Sequence, residues 1–99
     1  SIDANLSICI MPDDSMAPSV TKNCMMLVDT SVTSAEDDKI FLFNAEDDSD
    51  QFIVRRVKVG DDIDGIYLLC DNGNRPELLQ GAFGNRVIAK VIWTFSLHD

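Results

Sequence analysis

Basic residues are scarce in this chain: 8 Lys and Arg stand against 17 Asp and Glu, a formal net charge of −9 over 99 residues. That balance opposes binding to a phosphate backbone, which needs clustered cations, so these residues by themselves are not built to grip DNA. No apolar run approaches the ~18 residues of a membrane span, and the N-terminus lacks the basic and apolar regions of a signal peptide. A cytoplasmic protein without a membrane partner is expected. Cysteine is limited to Cys9, Cys24 and Cys70, an odd set in or beside apolar segments. They lack the close Cys or His spacing of metal sites. Buried free thiols in a reducing compartment account for them, and neither a metal nor a cofactor is expected.

Long helical periodicity is missing as well. Short apolar runs recur instead, at Leu6–Ile10, Met25–Asp29, Ile40–Phe43, Phe52–Val59, Ile66–Cys70 and Val87–Phe95. Between them lie turn-forming stretches such as Asp13-Asp14-Ser15, Thr30–Asp38, Gly60-Asp61-Asp62 and Asp71-Asn72-Gly73-Asn74. This rhythm predicts a mostly β fold of compact, twisted antiparallel sheets, with helix confined to a turn or two. A chain of this length buries roughly 60–65% of its unfolded surface, enough for one core, so residues 1–99 form a single domain. The acidic stretch Ala45–Asp50 suits a solvated hairpin tip. The chain opens at Ser1 without an initiator methionine, and we expect it to be part of a longer protein.

What is present is a serine in a notable place. Asp13-Asp14-Ser15-Met16-Ala17-Pro18 follows directly on the first apolar run. A serine at a strand end is a candidate nucleophile only if a neighbour can take its proton; the same residue types equally suit an ordinary solvated turn. A second unusual position is Arg55. Alternation along Phe52–Val59 groups Arg55 with Ile53, Val57 and Val59, the more apolar face. A charge there needs a partner or a function, unless it lies near the sheet edge and snorkels or pairs with one of the acids.

Together these features resemble the C-terminal domain shared by LexA, UmuD and the repressors of temperate phages, a family of self-cleaving serine–lysine peptidases. The resemblance runs through Asp14-Ser15-Met16-Ala17-Pro18, Leu27-Val28-Asp29, Lys39-Ile40-Phe41-Leu42, Val54-Arg55-Arg56-Val57, Cys70-Asp71-Asn72 and Ile88-Ala89-Lys90-Val91-Ile92-Trp93. It implies that Ser15 is the nucleophile and that the lysine base of the family falls on Arg55. A lysine in an apolar site can lose its proton near neutral pH, whereas a guanidinium, with a pKa above ~12, cannot serve as a base. The resemblance therefore implies a scaffold that keeps Ser15 as a vestige and has lost self-cleavage. Lys58, three residues along the strand, points to the opposite face; Lys39 opens a different strand and stays open as a substitute. Ser1–Asn5 holds neither of the Ala-Gly and Cys-Gly bonds that the family cuts.

In the phage repressors, the part before this domain is a helix-turn-helix operator binder, and this domain joins two copies so that paired half-sites are read together. The resemblance thus implies a homodimer, possible higher oligomers, operator contact only through the N-terminal part, and an antirepressor protein as the releasing partner. The alternative it leaves is an active LexA-type repressor or UmuD-like protein of the SOS response, acting with RecA and tolerating Arg55, whether natural or engineered. For the dimer contact, alternation along Val87–Leu97 sets Ile88, Lys90, Ile92, Thr94 and Ser96 against Val87, Ala89, Val91, Trp93 and Phe95. The first set leaves apolar surface for a partner, unless both faces are buried within the monomer.

Overall fold

A computed structural model describes residues 5–46, 50–73 and 75–96. The strands form where the apolar runs predict them: β1 (Leu6–Ile10), β2 (Met25–Asp29), β3 (Ile40–Asn44), β4 (Phe52–Lys58), β5 (Tyr67–Leu69) and β7 (Val87–Phe95). The two-residue strand β6 (Glu77–Leu78) was not anticipated, and the expected turn of helix is α1 (Phe83–Arg86), just before β7. The tip of the Ala45–Asp50 loop, at 47–49, and Leu97 at the end of the last predicted strand lie outside the described residues.

Among the described residues seven strands join one antiparallel sheet in the order β1-β2-β7-β3-β4-β5-β6. The last strand is thus inserted between β2 and β3, and the chain's two halves meet along it. Both sheet faces are covered, each by its own cluster. On one, the connection from Met11 to Cys24 lays Met11, Met16, Val20 and Cys24 over Met26, Val28, Leu42, Val54 and Ala89. On the other, Leu79 and Phe83 pack with Phe41, Phe43, Val57 and Leu68. Burial on both faces explains why the central strand β3 reads as an unbroken apolar run instead of an alternating one. Phe83 meets Phe41 and Phe43 edge-on, at 5.2 and 5.6 Å between ring centroids, the arrangement that aromatic quadrupoles favour.

Strand β7 departs from simple alternation. Leu27 and Val28 pair with Trp93 and Val91, skipping Ile92, and Leu42 and Phe43 pair with Ala89 and Val87, skipping Ile88. Each extra residue is a bulge that resets which face its neighbours occupy. As a result Ile88, Ala89 and Val91 all pack in or against the first cluster.

The aromatic contact predicts a test of the second cluster. Phe41→Ala, at a fully buried position, is expected to lower unfolding free energy by about 3–5 kcal/mol in urea denaturation. A loss below about 1 kcal/mol would be the value of a surface site and would contradict the packing described.

Candidate active site

The serine turn is built from its flanks inward. Met11 is buried, and its N–H donates to Cys24 O at 2.9 Å, tying the end of β1 to the start of β2. Met16 and Val20 are also buried, and Val20 N–H donates to Met16 O at 2.9 Å. Ser15 therefore sits one residue before a side chain anchored in the core, which fixes its backbone while leaving its hydroxyl at the surface. A further tie comes from Asn72 N–H, which donates to Ser15 O at 3.1 Å.

The next layer is ionic. Arg56 grips Asp71 through two parallel bonds, Nε to Oδ1 at 2.9 Å and Nη2 to Oδ2 at 2.6 Å, and its Nη1 donates to Asp38 O at 2.8 Å. Asp71 also accepts a hydrogen bond from Ser19, so the one carboxylate joins β4 to the segment that carries Ser15. The bonds from Arg56 hold the Asp71 carboxyl below the usual carboxylate range against the opposing effect of burial, with Ser19 and the charge of Arg56 adding to them. A cavity of about 420 Å³ lies beside this network, with Ser19, Lys39, Arg56 and Trp93 among its lining.

Arg55 and Ser15, forty residues apart, come together: Arg55 Nη1 donates to Ser15 Oγ at 3.2 Å and to Val54 O at 2.8 Å. Strand β5 pairs with β4 only over Arg56–Lys58, which leaves the edge of β4 open beside Arg55 for the guanidinium to reach the serine. The Ser15 hydroxyl in turn donates to Asp13 Oδ1 at 2.6 Å, and Ser15 N–H donates to the same oxygen at 3.0 Å. Burial pushes the Asp13 carboxyl up, but these two bonds and the charges of Arg55 and Lys22 outweigh it and leave it below its ordinary range.

Chemically, the serine hydroxyl donates to one carboxylate and accepts from a cation at its lone pairs. Asp13 is a poor base because its carboxylate form is already favoured, and Arg55 only donates. A second turn in the same molecule identifies the Asp13–Ser15 pair for what it is. Asp29 and Ser31 make the same two bonds, N–H and Oγ to Oδ1 at 2.8 and 2.6 Å, at the exposed end of β2. An Asp side chain accepting from the backbone two residues on is ordinary turn geometry, and it forms at both serines.

Lys58 and Lys90 are held elsewhere. Lys58 Nζ lies 3.7 Å from Asp37, and Lys90 Nζ donates to both oxygens of Glu36 at 2.9 Å. Lys39 immediately precedes β3 and lines the cavity. Lys22 acts on Asp13 through its charge. Neither Lys22 nor the Arg56–Asp71 pair is singled out by local sequence pattern; an arginine beside Arg55 and an aspartate in a downstream turn become a pair only through the β4–β5 register.

The residues anticipated at a dimer contact do not share one face. Ile88 packs against the first cluster, Lys90 holds Glu36, Thr94 is half-buried, and Ile92 and Ser96 are exposed. Cys9, Cys24 and Cys70 are free thiols, and burial pushes those of Cys9 and Cys24 up. Among the described residues no group of three or more His, Cys, Asp or Glu is placed to hold a metal, and no helix is long and apolar enough to cross a membrane. A sequence model described as Peptidase S24-like matches residues 1–92. No curated protein and no solved structure matches the chain.

The ion pair predicts an acid response. Because Asp71 has a lower pKa folded than unfolded, its contribution is complete above the unfolded value of ~3.9 and is lost as pH falls through the folded value. Asp71→Asn is expected to destabilise by about 1–3 kcal/mol at neutral pH and to show a shallower loss of stability below about pH 4. Urea unfolding across pH measures both; parallel pH profiles for the two proteins would contradict the pairing.

Proposed function

The chain belongs to the Peptidase S24-like family, and on that premise we propose that it is the oligomerisation and regulatory domain of a prophage transcriptional repressor, one that has lost self-cleavage and is released from duty by a separate antirepressor protein. The observation that carries this reading is the Arg55 guanidinium 3.2 Å from Ser15 Oγ, at the position the resemblance assigns to the lysine base. Lysine there would alternate between donor and acceptor; arginine stays a donor at any pH a protein survives. Removing the base from a nucleophile–base pair costs several orders of magnitude in rate, so retention of the serine alone does not preserve the reaction.

The rest of the molecule supports the regulatory half of the proposal. A charge of −9 suits a domain that leaves operator contact to a separate N-terminal part. Joining two such readers raises their effective concentration and multiplies operator affinity by ~10²–10⁴ without new DNA contacts. A repressor that does not cut itself needs a partner to inactivate it, which is why an antirepressor, rather than RecA, is the proposed effector.

A repressor carrying its upstream linker provides the test. Incubated with activated RecA, the Arg55 protein is expected to remain intact, whereas Arg55→Lys at alkaline pH is expected to cut itself and to stop doing so when Ser15→Ala is added. Efficient Ser15-dependent cleavage of the Arg55 protein would overturn the proposal in favour of an active LexA-type or UmuD-like protein.

A further inference from the structure

Among the described residues, strand β1 is one of the two edges of the sheet. Edge strands are usually guarded by charge, proline, a bulge or brevity, because their open main-chain groups are a template for another strand. The opposite edge, β6, has such guards: it is two residues long, begins at Glu77 and follows Pro76. By contrast β1 is five residues, Leu6-Ser7-Ile8-Cys9-Ile10, with no charge, no proline and no register shift against β2.

The open groups can be assigned. Met11 N–H donates to Cys24 O, Met11 O accepts from Asn23 N–H, and Asn5 O accepts from Thr30 N–H. In an antiparallel ladder the main-chain groups alternate in direction along the strand. The odd-numbered residues therefore face β2, and the N–H and C=O of Leu6, Ile8 and Ile10 point outward from the sheet. Ile8 and Ile10 are 58% and 49% exposed. They begin two apolar rows that cross the sheet by register, Ile8–Leu27–Trp93 and Ile10–Met25–Phe95, with Trp93 65% exposed.

We infer that β1 pairs antiparallel with β1 of a second copy of this chain, about a two-fold axis at Ile8, so that the two sheets join edge to edge. In this register Ile8 faces Ile8 and Leu6 faces Ile10. Each of the three outward N–H groups on one copy meets an outward C=O on the other, six bonds in all, as the closed symmetry of a homodimer requires. The strand is complementary to itself: apolar side chains meet on one face, and Ser7 faces Cys9 on the other. An edge without charge offers nothing to select a basic partner, although the chain carries −9. Salt, which screens repulsion between two acidic copies, strengthens this contact, whereas it would weaken a contact with a basic protein.

The inference rests on the oligomerisation reading above, and one set of measurements separates the two. Sedimentation velocity over a concentration series is expected to show a reversible dimer that tightens with salt. Ile8→Lys is expected to weaken it roughly tenfold or more, since an edge lysine blocks strand addition. Amide exchange on the unsubstituted chain is expected to show protection at Ile8 and Ile10 rising with concentration. A dimer indifferent to Ile8→Lys, with the Ile8 and Ile10 amides exchanging freely at every concentration, overturns the β1 contact while leaving oligomerisation in place. A chain that stays monomeric throughout overturns both. Concentration-independent protection of those amides assigns the edge to a segment of the same chain and likewise overturns the contact.

Discussion

The bidentate pair between Arg56 and Asp71 is the constraint on which the rest of the site depends. Arg56 lies on β4 and Asp71 in the turn after β5, and Asp71 also accepts from Ser19 while Asn72 N–H holds Ser15 O. One carboxylate therefore fastens the serine segment to the middle of the sheet. Charged, parallel hydrogen bonds of this kind fix direction as well as distance. With Met16 buried on one side of the serine and the Asp71 turn on the other, Ser15 has little freedom to leave the reach of Arg55.

Given that placement, the identity of residue 55 decides the chemistry. The site brings together a serine, a carboxylate and a cation within hydrogen-bond distance, an arrangement that resembles a catalytic group in outline. Its protons are disposed the wrong way for attack: the hydroxyl already donates to a weakly basic carboxylate, and the neighbouring cation only donates. Family membership is compatible with this arrangement of donors, because the serine segment is held by Met16, Arg56 and Asp71 and not by residue 55.

Much of this was legible in the sequence because strands and turns announce themselves locally. Six apolar runs became six strands, and the pairing of Ser15 with Arg55 followed from a motif order that the β4 register then realised. Strand β6 was not legible: two residues, Glu77 and Leu78, carry no periodicity, and they pair only because Tyr67 and Leu68 offer an edge. Nor did alternation hold along β7, where bulges at Ile88 and Ile92 reassign the faces. A bulge answers to the registers of two neighbouring strands at once, which no single-strand pattern contains. The Arg56–Asp71 pair was hidden for the same reason, being a consequence of register rather than of composition.

The central claim is that Ser15 is held but not activated, and the molecule contains its own standard for that state. Ser31 makes the same bonds to Asp29 that Ser15 makes to Asp13, at the exposed end of β2 and, among the described residues, without an arginine donating to its hydroxyl. The direct measurement is the rate at which a serine-directed phosphonylating reagent labels each hydroxyl at neutral pH, read by peptide mass spectrometry. The account predicts that Ser15 and Ser31 are labelled at comparable, slow rates. Selective rapid labelling of Ser15 would contradict it.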